Sequence, residues 1–156
     1  MSDFPHVGLR IARNAGGQIA ELRGYTAEAV LFVRSRFVYD ERGRLAQQIE
    51  FGEGDAYLGK TLWRYDEKGR VDEKASYKPD GTRDMMTRHA YSDEGYLAEE
   101  ILYKADGSVF AQYAYAYLEF DDTGNWLRRK RTTQNAGPGG EFTPEFFEYQ
   151  DIEYYE

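Results

Sequence analysis

Trp63-Arg64-Tyr65-Asp66-Glu67-Lys68-Gly69-Arg70-Val71 is one copy of a unit that recurs along the chain. Glycines stand at Gly17, Gly43, Gly69 and Gly95, 26 residues apart, and a fifth follows at Gly124 after 29. Four residues before most of them is an aromatic (Tyr39, Tyr65, Tyr91, Phe120), and two after comes an apolar side chain (Ile19, Leu45, Val71, Leu97, Trp126). Eight after stands another aromatic: Tyr25, Phe51, Tyr77 or Tyr103. A period of this size is the signature of a repeat architecture, in which each supersecondary unit is stabilised by its neighbours.

Within the unit, aspartate at the first position of a type I turn and glycine at the fourth predict a three-residue hairpin loop with the glycine left-handed. Tyr65 then faces Val71 and Asp66 faces Arg70; likewise Tyr39 faces Leu45 and Asp40 faces Arg44. The aspartates are thereby assigned a structural role rather than a catalytic one. A second turn follows in each unit: Lys78-Pro79-Asp80-Gly81, Lys104-Ala105-Asp106-Gly107 and, less regularly, Gly52-Glu53-Gly54-Asp55. Two turns per unit give two strands, hence about ten strands in an up-and-down meander. The fold class is all-β, an antiparallel sheet of about five hairpin repeats, curled or closed into a barrel.

One domain spans 1–156, with a degenerate capping repeat at about 9–34, core repeats at about 35–133 and an acidic closing strand at about 141–156. In the first repeat Arg13-Asn14-Ala15-Gly16-Gly17 and Thr26-Ala27-Glu28 replace the regular turns, as terminal repeats often do. Ala29 to Val33 is expected to be strand. Asn135 to Gly140 reads as a loop, and the segment from Phe142 onward, rich in acids and without a base, as the closing strand whose charge discourages edge pairing.

Alternation puts Leu45, Ile49 and Phe51 on one face and Val71, Ala75 and Tyr77 likewise, with Phe37, Tyr39, Trp63, Tyr65, His89 and Tyr91 expected on the apolar side and the other face wet. The fourth unit carries three extra residues, so a bulge or break is expected within Ala111–Leu118, with Tyr113, Tyr115 and Tyr117 not all on the face of Phe120.

Composition narrows function. Fourteen tyrosines and nine phenylalanines carry the hydrophobic load and favour strands. A formal charge of −8 disfavours nucleic acid and anionic membrane and suits a basic protein partner. Without cysteine there is no disulfide or thiolate chemistry. The first residues lack a basic stretch followed by an apolar one, so no signal peptide is read and a cytoplasmic location is expected.

No nucleophile elbow or phosphate loop is present. Gly52 to Asp55 lacks the ligand pattern of a calcium loop. His6 lies in the N-terminal segment and reads as inert; His89 reads as a half-buried histidine with a local hydrogen bond. No catalytic residue, metal site or cofactor is assigned. The candidate partner-binding residues are Trp63, Tyr65, His89, Tyr91, Tyr113, Tyr115 and Tyr117 as aromatic rows, and Glu145, Glu148, Asp151 and Glu153 as an acidic surface. Arg128-Arg129-Lys130-Arg131 is the one basic run, and the acidic C-terminal segment is its expected partner within the chain.

The motif Tyr-Asp-x-x-Gly-Arg-Val/Leu resembles the YD repeats of RHS-repeat proteins. Tyr39 to Leu45 and Tyr65 to Val71 match it, Phe120-Asp121-Asp122-Thr123-Gly124-Asn125-Trp126 is similar to its asparagine variant, and Tyr91 to Leu97 keeps the frame without the first aspartate. The resemblance covers roughly 35–133. It implies a β-hairpin repeat sheet that binds or contains rather than catalyses, and its toxin associations suggest an immunity or antitoxin-like inhibitor of a basic toxin, acting as monomer or homodimer. The alternative is a carbohydrate or cell-wall binding module built on the aromatic rows.

Overall fold

A computed structural model describes residues 8–134 and 145–153. Eleven strands form one sheet in chain order: β1 Gly8–Arg13, β2 Ile19–Tyr25, β3 Leu31–Tyr39, β4 Leu45–Phe51, β5 Tyr57–Tyr65, β6 Val71–Tyr77, β7 Arg83–Tyr91, β8 Leu97–Lys104, β9 Val109–Phe120, β10 Trp126–Thr133 and β11 Glu145–Tyr149. The order has two ends, β1 and β11, so the sheet is a meander and not a closed barrel. Ten strands are those of the hairpin repeats, and β11 is the closing strand. His6 and the 135–140 loop fall outside the described residues. The chain divides into two compact units, Met1–Met86 and Thr87–Glu156.

The turns form as their residues dictate. The Asp40 amide donates to the Arg44 carbonyl at 2.8 Å, and the Gly43 amide donates back to the Asp40 carbonyl at 2.9 Å, with Gly43 at φ +76°. The Asp40 carboxylate accepts from the Arg42 and Arg44 amides, each at 2.9 Å, and from Arg44 Nε at 2.8 Å. Asp66 does the same for Arg70, and Asn14 substitutes its amide oxygen in the first repeat. In the Thr26–Val30 turn the same two backbone bonds form, and Ala29 occupies the glycine position at φ +61°.

Within the first unit, pairing corrects the expected faces. Tyr39 does face Leu45 and Tyr65 does face Val71, but a register shift follows at once, between Val38 and Tyr39 and between Arg64 and Tyr65. The extra residue inverts the remainder of the hairpin, because successive strand side chains alternate faces. Phe51 therefore stands opposite Arg34 and Ile49 opposite Arg36, while Phe37 stands opposite Gln48 and Trp63 opposite Lys74. Phe37 and Trp63 lie on the face away from Ile49, Phe51, Leu62 and Ala75. Apolar residues are thus split between two faces instead of gathered on one.

That division leaves little room for burial. Among the described residues, Ala75 at 2% exposure, Ala111 at 5% and Met86 at 9% are the buried hydrophobic ones, whereas Leu9, Phe110 and Tyr149 are 65%, 57% and 70% exposed. Rings are covered instead by cations: the Arg34 guanidinium lies 4.2 Å from the Phe51 centroid and that of Arg44 4.3 Å from Tyr65. Such contacts contribute about 0.5–1 kcal/mol at exposed sites.

In the second unit β9 is one strand with an irregularity near each end. Its pairing with β8 skips Phe110, between Leu102–Ala111 and Tyr103–Val109, and its pairing with β10 is irregular at the far end. Arg128 pairs with Glu119 and Arg129 with Tyr117, which skips Leu118. The skip brings Phe120 beside Tyr117, their rings stacked at 6.2 Å. The bulge expected in 111–118 is therefore present at its last residue, but it joins Phe120 to the tyrosine face where separation was expected.

Candidate functional site

Strand pairing in the second unit assembles one face from residues far apart in sequence. Glu100 stands opposite Tyr113, and Tyr113 opposite Thr133; Tyr115, Arg131 and Phe146 form the next rung, and Tyr117, Arg129 and Glu148 the one after. The Arg129 guanidinium carbon lies 4.7 Å from the Tyr115 centroid and 4.6 Å from that of Trp126, and its Nε donates to Glu148 at 2.6 Å. Arg131 sits between the rings of Tyr113 and Phe146, at 5.1 and 5.2 Å, with Nη1 3.5 Å from the other oxygen of Glu148. Each cation of this face thus lies over rings and shares one carboxylate.

His89 reaches the same patch, its Nε2 3.5 Å from Glu100. Its Nδ1 is buried without a hydrogen-bond partner among the described residues. The histidine holds the Glu100 carboxyl below its ordinary range; burial opposes this, and the charges of Arg131 and Arg129 reinforce it. Burial raises the Tyr115 hydroxyl, and the Glu100 charge adds to the effect. Glu148 is thus committed to Arg129 and Arg131, and Glu100 to His89.

The other nominated residues are placed as follows. Trp63 sits on β5 with Lys74 Nζ 5.6 Å from its ring. Tyr65, on the next turn, is half-buried and donates to the Leu45 carbonyl. Tyr91 closes β7, also half-buried. Glu145 pairs with Lys130 at 3.0 Å, so it and Glu148 face the chain's own basic strand as the charge pattern implied. Asp151 and Glu153 are exposed beyond β11.

Two features were not nominated. The Tyr39 and Tyr65 turns keep Asp40 and Asp66 for the loop and expose a second acid, Glu41 or Glu67, beside an exposed base, Arg42 or Lys68. Glu41 and Glu67 lie on turns that flank an open recess of about 410 Å³, and in the second unit Asp93 and Asp122 are exposed on turns tied by Tyr96, whose hydroxyl donates to the Gly124 carbonyl at 2.8 Å. The glycine period was the available signal for these turns. The other feature is a second set of cations, Arg10, Arg23 and Arg34, opposite one another on β1, β2 and β3. Sequence gave no sign of it, since these arginines are scattered and only the register unites them.

No family model and no curated relative matches the sequence. Among solved structures the chain is similar to part of the Tc holotoxin pore of Photorhabdus luminescens, at 11% identity and TM-score 0.30 over 88% of this chain and 9% of that one. It is similar to part of a TcdB2–TccC3 complex at 11% identity and TM-score 0.31, over 89% of this chain and 10% of that one. A Bacteroides fragilis protein of unknown function follows at 14% identity and TM-score 0.24, over 79% and 88%. The chain spans about a tenth of the length of the first two. These TM-scores fall short of a shared fold.

Proposed function

We propose that the chain is a non-enzymatic protein-binding module for a basic partner, most concretely an immunity or antitoxin-like inhibitor. The observation that carries this reading is the exposed acids of the hairpin turns, Glu41 and Glu67 in one unit and, separately, Asp93 and Asp122 in the other. Asp93 and Asp122 stand beside Glu94 and Asp121 on turns without a base, whereas Glu41 and Glu67 adjoin the exposed Arg42 and Lys68. The chain's formal charge is −8, and acidic turns of this kind steer and hold a cationic surface. The basic run at 128–131 offsets none of this, because Glu119, Glu145 and Glu148 already pair with it. The glycan-binding alternative is weaker, because Arg129 and Arg131 lie over Tyr115 and Tyr113, ring faces that a sugar would need.

The test is affinity capture from the native host, followed by salt titration of the captured pair and comparison with Glu41→Gln/Glu67→Gln/Asp93→Asn/Asp122→Asn. A basic, stoichiometric partner whose binding weakens with salt and with the neutralised turns supports the reading. Binding indifferent to both sinks it.

A further inference from the structure

On one face of the first unit, side chains that repel one another stand directly opposite. Arg10 pairs with Arg23 across β1 and β2, and Arg23 pairs with Arg34 across β2 and β3. Neighbouring strands lie ~4.8 Å apart, so the three stems occupy consecutive strand positions. Like charges directly opposite destabilise a sheet. One rung along, Arg36 faces Glu21.

Carboxylates answer only part of this charge. Glu21 reaches Arg23 at 2.5 Å and Arg36 at 2.9 Å, and Asp55 reaches Arg34 at 3.2 Å. Arg10 has the Tyr25 ring at 5.0 Å and no carboxylate among the described residues. Arg34 is mostly buried, its side chain 12% exposed, and its Nε finds no hydrogen-bond partner among the described residues. Four guanidinium groups against two carboxylates leave a positive excess on a protein whose formal charge is −8. Arg34 and Arg36 cover the Phe51 ring at 4.2 and 5.7 Å, and beyond them β4 and β5 fill the same face with Ile49, Phe51, Lys60 and Leu62. Beside the row is a recess of about 280 Å³ lined by Arg10, Ile11, Ala12, Glu21 and Arg23.

We propose that this row is a binding site for a compact polyanion of the oligophosphate class, held by the guanidinium groups of Arg10 and Arg23 that line the recess, with Arg34 adding positive charge behind them. Arginine presents a planar fork that matches phosphate oxygens two at a time, and charge-assisted bonds of this kind are the strong ones. Adjacent phosphoryl groups supply several charges over a short span, which suits cations one strand apart. Glu21 fixes Arg23 and Arg36 rather than filling the site, because its two oxygens are already divided between them. The site stands on a different surface chemistry from the acidic turns and does not depend on their partner.

The experiment uses the full chain with sodium tripolyphosphate as probe, followed by calorimetric titration and melting temperature at low ionic strength. Tripolyphosphate is expected to bind and to raise the melting temperature, orthophosphate and sulfate to act more weakly, and added salt to erode the effect. Arg10→Gln, which breaks no ion pair among the described residues and loses the Tyr25 ring contact, is expected to melt close to the parent and bind at least about tenfold more weakly. Arg64→Gln, on the same face and 77% exposed, is expected to bind unchanged. No response to millimolar tripolyphosphate overturns the proposal. Equal weakening in Arg10→Gln and Arg64→Gln overturns it too, because that result marks diffuse charge rather than a site.

Discussion

The Tyr65 hydroxyl donates to the carbonyl oxygen of Leu45 at 2.8 Å, and Tyr39 makes the same bond to Ile19, in each case twenty residues back. The repeat tyrosine therefore ties its own turn to the preceding one, and the period of the sequence is also the period of these clasps. Tyr65→Phe keeps the ring under Arg44 and removes only the bond. It is expected to cost about 1 kcal/mol, the usual net contribution of an intramolecular hydrogen bond. Urea midpoints of the two proteins measure it. An unchanged midpoint would mean the hydroxyl has no part in stability and would return Tyr65 to the pool of purely binding residues.

Backbone geometry gives a pair of opposite expectations. Gly59 adopts φ +135°, and a Cβ there would lie 2.3 Å from the Tyr77 carbonyl oxygen. Gly59→Ala is expected to cost about 3 kcal/mol, from overpacking against backbone together with strain. Ala29 has the reverse problem, an L side chain at φ +61° in a turn that elsewhere uses glycine. Ala29→Gly is expected to stabilise by about 0.5–1 kcal/mol, the relief of left-handed strain less the added freedom of the unfolded chain. Thermal melts of both variants check the two signs together.

The turns were legible because their chemistry is local. Asp40, Gly43 and Arg44 close the loop among themselves, so reading them in sequence sufficed. The faces were not legible. One register shift beside Tyr39 and another beside Tyr65 reverse the alternation of everything beyond, and nothing in Ala46 or Asp72 announces which residue goes unpaired. Of the nominated site, the pairing of the 128–131 run with Glu145 and Glu148 followed from charge pattern alone. The arginine row did not, because it exists only once three strands are in register.

Acid should unpick the turns in a defined window. The Asp40 carboxyl is held below the ordinary aspartate range by hydrogen bonding from the Arg44 side chain, then by the Arg44 amide, against some burial. Asp80 and Asp106 are lowered likewise by Thr82 and Ser108. A depressed folded value means stability that is present above the unfolded value, about 3.9 for aspartate, and lost as pH falls through the folded one. The parent is therefore expected to be more stable than Asp40→Asn at pH 7, with the gap closing below about pH 4. Urea midpoints across that range decide it; a gap that persists at low pH would assign the difference to loop geometry instead of charge.

Glu148 divides its carboxylate between two arginines, Nε of Arg129 at 2.6 Å and Nη1 of Arg131 at 3.5 Å. This clamp joins the Lys130–Glu145 pair and the stacking of Arg128 on Phe147 and Arg131 on Phe146 in fastening β11 to β10 beyond its backbone ladder. β11 is short, and Phe146, Phe147 and Tyr149 are all exposed, so burial contributes little to holding it. Glu148→Gln leaves two partly buried guanidinium groups without their shared anion, and a cost of about 1–2 kcal/mol is expected. The cost should be local. Amide exchange of residues 145–149 is expected to accelerate while β9 keeps its protection, because the Arg129 stack on Tyr115 and Trp126 survives. Asp151→Asn, which removes an exposed acid beyond the strand, is expected to leave that exchange unchanged. Equal acceleration in both variants would mean that β11 is held by net charge, not by the Glu148 clamp.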